Sequence, residues 1–269
     1  MHMSDALVSP AVGVVAGVVA AGLTAYSARA TERNPEPGRA ALMGVLGAFV
    51  FAAQMVNFSI PGTGSSGHLG GGLLLAALLG PHAGFLVITS VLVVQALLFA
   101  DGGLLALGCN IVNLGLWTCW VAYPLVFRPL AGRDARRLGL ASVVAAVVGL
   151  ELGALSVVAE TTLSGISELP FRAFSFVMLP IHLGIGLVEG LVTAAFLVLV
   201  RQARPDLLHV GGPSTRPSRG RLRTVIVALG SAALLTGGGF TWFASRAPDG
   251  DRIVGPVMVP EPSIEGTTG

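Results

Sequence analysis

Two histidines, placed sixty-six residues apart, carry the chemistry of this chain. The first is His2, directly after Met1. The terminal amine, the amide nitrogen of His2 and the imidazole of His2 can all reach one ion. Amine and amide close a five-membered ring; amide and Nδ1 close a six-membered one. Amine and imidazole donors suit nickel, cobalt, copper and zinc rather than magnesium or calcium. The second is His68, at the end of Asn57-Phe58-Ser59-Ile60-Pro61-Gly62-Thr63-Gly64-Ser65-Ser66-Gly67-His68. Gly and Pro let this hydroxyl-rich loop turn sharply. Three donors from the terminus and one imidazole make four, and four nitrogens near a plane suit Ni(II) or Cu(II). Each histidine also has a plainer reading. His2 could belong to a frayed terminus, and His68 could cap a helix or meet lipid headgroups.

Other groups stand close to these in sequence. Asp5 could orient the His2 ring from behind, as carboxylates do for metal-bound histidine. It could equally cap the first helix. Asn57, Ser65 and Ser66 are further candidates for a supporting role. Asp101-Gly102-Gly103 reads first as a turn and second as part of an access path. His182 and Glu189 lie seven residues apart, on one helix face, and polar groups at membrane depth are often functional. A structural hydrogen bond or a partner contact suits them better than metal. Glu151 and Glu160 invite the same reading. His82 is expected at the opposite membrane face from His2.

The elements that position these residues are membrane helices. The chain is 53% hydrophobic and only 11% charged, against roughly 25% charged in soluble domains. Apolar stretches long enough to span a bilayer fall near 7–28, 40–57, 83–100, 109–127, 138–160, 174–200 and 224–244. A shorter stretch, 69–80, is either a short span or half of a re-entrant hairpin turning at Gly80-Pro81-His82. The fold class is therefore all-α, a polytopic transmembrane helical bundle. The first apolar run has no cationic residue before it and exceeds a signal-peptide core in length, so cleavage is not expected. Cys109 and Cys119 share one apolar helix, about 15 Å apart, beyond disulfide reach.

Every basic residue is Arg. Arg29, Arg33 and Arg39 surround one loop; Arg128, Arg133, Arg136 and Arg137 another. Arg201, Arg204, Arg216, Arg219, Arg221 and Arg223 occupy a third. By the positive-inside rule these loops are cytoplasmic. Met1-His2, the loop 58–68 and the loop 161–172 are then external, provided that 69–100 crosses an even number of times. A multi-pass protein of a prokaryotic inner or plasma membrane is expected. The net charge of +2 gives no reason to expect a nucleic-acid partner.

Four stretches resemble one known family: MHMSDALVSPAVG, MGVLGAFVFAAQMVNFSIPGTGSSGHLGGGLL, VLVVQALLFADGGLLALGCNIVNLG and LPIHLGIGLVEGLVT. Their order and length are similar to the metal-binding S component of the cobalt/nickel energy-coupling-factor transporters, the CbiM/NikM family. The resemblance covers nearly all of 1–201. It implies an S-component-like bundle with an external N-terminus and seven or eight hydrophobic segments. It implies that Met1, His2 and His68 hold the transported Ni2+ or Co2+, with no further cofactor. It also implies a transmembrane coupling protein and paired ATPase subunits as partners. Consistently, the chain has no G-x-x-x-x-G-K-[ST] phosphate loop, and no arrangement of catalytic residues. Residues 202–223 read as a cytoplasmic Arg/Pro/Gly linker. Residues 224–269 look like a fused CbiN/NikN-type single span ending in Pro248-Asp249-Gly250, although Asp251-Arg252 replaces the usual Leu-Glu. Two other classes remain open on the residues alone. One is a proton-coupled permease or membrane enzyme using His182 and Glu189, and the other is a membrane anchor.

Overall fold

The computed structural model describes residues 1–208 except 133, 168 and 169. Most of the linker and the whole expected C-terminal span lie outside the described residues. Among the described residues seven long helices follow one another: α1 (Pro10–Glu32), α2 (Arg39–Gln54), α3 (Gly72–Leu79), α4 (Pro81–Leu98), α5 (Leu107–Leu130), α6 (Ala135–Ser164) and α7 (Phe171–Ala203). All but α2 and α3 are long and apolar enough to cross a membrane. Ser9 starts α1, its hydroxyl accepting from the Val12 amide at 3.5 Å, and Pro10 occupies the first helical turn. Asp5 therefore does not cap that helix. It begins a single 3-10 turn, Asp5–Leu7.

The segment 69–100 forms a helical hairpin of α3 and α4 that turns at Gly80. At eight residues α3 is about 12 Å long, too short for a hydrocarbon core of about 30 Å. All eight of its residues are buried, so irregular backbone at its ends is enclosed by protein, as membrane depth requires. Gly80 makes the turn into α4 at φ 82°, a left-handed conformation that Gly adopts without a Cβ penalty. Gly84 then packs on α3 so closely that a Cβ would lie 2.8 Å from the Ala76 nitrogen. The hairpin returns to the end of the molecule from which it left.

This connectivity sorts the loops. Residues 1–9, 58–67 and 99–106 gather together, joined through the β1–β3 pairing, the His2–Asp101 contact and the Gly103 amide on the Met3 carbonyl. The breaks after α1, α5 and α7 lie at the opposite end of the bundle. There, the Arg201 guanidinium donates to the carbonyls of Gly132 at 3.3 Å and Asp134 at 3.1 Å. Among the described arginines only Arg172, at the start of α7, lies at the end away from these breaks. The outer surface exposes large apolar side chains such as Val14, Val18, Leu98, Leu163 and Phe176, as a lipid-facing surface should. Cys109 and Cys119 are buried free thiols.

The chain is not wholly helical. A small antiparallel sheet in the order β1-β3-β2 joins β1 (His2–Met3), β2 (Phe58–Ile60) and β3 (Ser65–Gly67). Positive φ at Gly62 (69°) and Gly64 (65°) lets the chain reverse between β2 and β3. The stretch read as a flexible loop is thus a hairpin, to which the N-terminus adds a strand.

Candidate metal centre

The first three residues are fixed on every side. His2 pairs with Ser66 and Met3 with Ser65 in the β1–β3 register. The Met1 amine donates to the Ser66 carbonyl at 2.5 Å. The Met1 side chain is wholly buried and fills a notch at Gly153 of α6, where a Cβ would lie 2.7 Å from its sulfur. Asn110 of α5 clamps the Met3 backbone. Its Oδ1 accepts from the Met3 amide at 2.8 Å and its Nδ2 donates to the Met3 carbonyl at 3.2 Å. The Gly103 amide donates to that same carbonyl at 3.0 Å. These bonds leave the terminus ordered rather than frayed.

Three nitrogen-bearing groups converge there. The Met1 amine lies 3.5 Å from His68 Nε2. The rings of His2 and His68 stand 4.5 Å apart between centroids, tilted by 44°. His2 and His68 are 1% and 3% exposed. The Nδ1–H of His68 donates to the Leu69 carbonyl at 2.8 Å, which leaves the Nε2 lone pair facing the amine. A second hydrogen bond of this kind commonly fixes the tautomer of a metal-binding histidine. His68 is held well below the usual histidine range. Burial is the main cause, then the positive terminal amine, then His2, with His182 the least. Its ring is therefore neutral and able to donate a lone pair.

The other expected supports are placed differently from one another. Asp5 does not touch His2; its Oδ1 accepts from the Ala106 amide at 2.9 Å. The carboxylate on His2 is Asp101, whose Oδ1 lies 3.1 Å from His2 Nδ1. Asn57 supports that contact, its Nδ2 donating to Asp101 Oδ2 at 3.3 Å. Ser65 faces away, its hydroxyl bonding to Met178 sulfur at 3.4 Å. Ser66 contributes its carbonyl to the amine, while its buried hydroxyl has no partner among the described residues. The same holds for Nε2 of His2.

The sequence reading missed the roles of Asp101 and Asn110. Asp101 was concealed by two following glycines that signal a turn. Asn110 gave a usable signal, since a polar side chain inside an apolar span must find partners.

The intramembrane pair is divided. Both oxygens of Glu189 accept backbone amides, from Gly70 at 2.5 Å and Gly71 at 3.0 Å. This anchors the start of α3, two residues beyond His68. His182 donates from Nδ1 to the Met178 carbonyl at 2.8 Å. Glu160 accepts from Asn113 at 2.8 Å.

Among the described residues, no three His, Cys, Asp or Glu side chains gather to hold an ion. The nitrogen groups brought together at this end are the Met1 amine and the imidazoles of His2 and His68. Nitrogen donors of that type take late first-row transition metals.

The comparisons agree with that chemistry. A family model described as the cobalt uptake substrate-specific transmembrane region, CbiM, matches residues 2–207. Over 187 residues the chain is 36% identical to an Archaeoglobus fulgidus protein named as a candidate fused nickel transport protein, NikMN. That match covers 70% of this chain and 60% of the relative. A Geobacter sulfurreducens protein named cobalt transport protein CbiM is 32% identical over 211 residues, covering 73% and 59%. The chain thus spans about three fifths of these relatives' length. A crystal structure of a truncated transition metal transporter superposes with TM-score 0.68 at 27% identity. It covers 76% of this chain and 99% of that one.

Proposed function

The chain belongs to the CbiM family of cobalt uptake substrate-specific transmembrane regions, and on that premise we propose that it captures Ni2+ or Co2+ for import. The observation that carries this reading is the buried Met1 amine 3.5 Å from Nε2 of His68, with the His2 ring alongside. The ion is the transported substrate. Met1 supplies the amine, His2 its amide and ring, and His68 its Nε2. The ordered strand β1 brings these donors together before the ion arrives, so little ordering entropy remains to be lost on binding.

In the proposed orientation this end faces outward, because the described arginines other than Arg172 lie at the opposite end and the positive-inside rule makes that end cytoplasmic. The protein is then the specificity component of an energy-coupling-factor transporter. A transmembrane coupling protein and paired ATPase subunits supply the work, since the chain has no phosphate loop of its own. Raw affinity favours copper over cobalt and nickel, so the fixed geometry of the strand must contribute to selection. The permease reading through His182 and Glu189 gains no support, because both Glu189 oxygens already hold α3.

The test is a Ni2+ and Co2+ titration of the full chain in detergent, with any tag kept off the N-terminus. One extra residue before His2, or His68→Ala, is expected to weaken binding by more than about a hundredfold. That exceeds the roughly 10–100-fold typical of losing an outer partner of a metal ligand. Wild-type affinity in either variant would sink the proposal. Co-purification with coupling and ATPase subunits tests the partners.

A further inference from the structure

We infer that Asp101 is the positioning residue of the centre, its carboxylate orienting the His2 ring so that the ring's other nitrogen offers its lone pair to the ion. The inference rests on the metal-capture reading above. Asp101 Oδ1 lies 3.1 Å from His2 Nδ1, and the two side chains are almost wholly buried. Asn57 donates to the second carboxylate oxygen at 3.3 Å, which fixes the plane of the group.

The loop is built to present this side chain. Ala100 takes φ 51° and Gly102 φ 84°, so two left-handed residues flank Asp101. The former is uncommon for a residue bearing a Cβ, and such outliers persist only where the surroundings enforce them. The Asp101 amide donates to the Gln95 carbonyl at 3.2 Å and the Gly103 amide to the Met3 carbonyl at 3.0 Å. The loop is therefore tied at once to α4 and to the N-terminal strand. Gly102 lies against His2, where a Cβ would stand 3.7 Å from the ring.

Either orientation of the ring keeps one of its nitrogens on the Asp101 side. As the ring stands, Nδ1 carries its proton toward Asp101, and Nε2 is the buried nitrogen without a partner among the described residues. A half-turn about Cβ–Cγ exchanges Nδ1 with Cδ2 and Cε1 with Nε2. The N–H then comes from Nε2, still on the Asp101 side, and Nδ1 turns toward the backbone amide to close a six-membered chelate. As the ring stands, Asp101 takes the ring proton and leaves the opposite lone pair to the metal; in the turned ring Cδ2 takes the place of Nδ1, and the carboxylate must shift toward Nε2 to take that proton. A carboxylate behind a metal-bound histidine raises its basicity and fixes its tautomer. It also brings negative charge one ring away from a buried divalent ion, where uncompensated charge is costly. Among the described residues the other nearby carboxylates are committed elsewhere: Asp5 to Ala106 and Glu160 to Asn113.

The experiment compares Asp101→Asn, Asp101→Glu, Asp5→Asn and His68→Ala in the full chain. Each is titrated with Ni2+, its visible absorption band recorded, and its thermal midpoint measured without metal. Asp101→Asn is expected to lower affinity by about 10–100-fold and to shift the band, with the metal-free midpoint unchanged. Asp101→Glu should recover most of the affinity, and Asp5→Asn should leave the band in place. Wild-type affinity and spectrum in Asp101→Asn, while His68→Ala abolishes binding, would overturn this inference alone. A lowered midpoint with an unshifted band would also overturn it, by making Asp101 merely structural. Wild-type affinity in His68→Ala would instead remove the capture reading beneath it.

Discussion

Glu189 on α7 reaches across the bundle to the start of α3, and its two oxygens accept the amides of Gly70 and Gly71 at 2.5 and 3.0 Å. It thereby positions His68, which stands two residues earlier and turns its Nε2 toward the Met1 amine. A membrane-depth carboxylate thus serves the centre through backbone placement.

Replacing Glu189 by Ala strands two buried amides. Leaving a buried donor unmade costs about 1–3 kcal/mol, and more where the partner was charged. The variant should lose roughly 3 kcal/mol and bind Ni2+ more weakly, because the segment carrying His68 loses its anchor. Thermal unfolding in detergent, followed by a titration, checks both. Glu189→Gln should recover part of the stability through its remaining acceptor.

Asn110 makes a different prediction. Its side-chain amide satisfies both the amide and the carbonyl of Met3. Asn110→Leu strands the Met3 amide, at a cost of about 1–3 kcal/mol, while the Met3 carbonyl keeps the Gly103 amide. Affinity should fall with stability, since β1 is released. A variant with lower stability but wild-type affinity would show that the sheet alone holds the strand.

Gly103→Ala tests the packing of the loop on the N-terminal turn. A Cβ there would collide with the Asp5 carboxylate and meet the Asp5 nitrogen at 2.5 Å. Overpacking of this kind costs about 1–3 kcal/mol. The shift should move Asp101 away from His2, and the measurement is Ni2+ affinity beside the thermal midpoint.

Acid should destabilise the fold through His68. Its folded pKa is depressed by burial and by the positive terminal amine, whereas the unfolded chain protonates near about 6.5. The neutral ring's contribution is complete above that value and is lost as pH falls below it, because the unfolded state then binds more protons. The midpoint of the metal-free protein should therefore drop between about pH 7 and pH 5. In His68→Gln the drop should be shallower.

Much of the architecture was legible in the residues. Long apolar runs gave the helices, because a span must be apolar along its whole length. The parity condition on 69–100 was met by the α3–α4 hairpin, which brings 99–106 back to the N-terminal strand. Met1, His2 and His68 stood out because amines and imidazoles are rare, chemically distinct groups in such a chain. The sheet was not legible, since β1 is two residues long and its pairing partner lies over sixty residues away. Nor was the carboxylate on His2. Sequence proximity favoured Asp5, but one 3-10 turn carries Asp5 away to Ala106. Asp101 arrives from the far end of the α3–α4 hairpin. The sequence alone determined that the elements are apolar helices and which donor types are present, because those depend on local composition. The tertiary structure decided which donors meet, because their approach depends on how α3, α4 and the N-terminal strand pack.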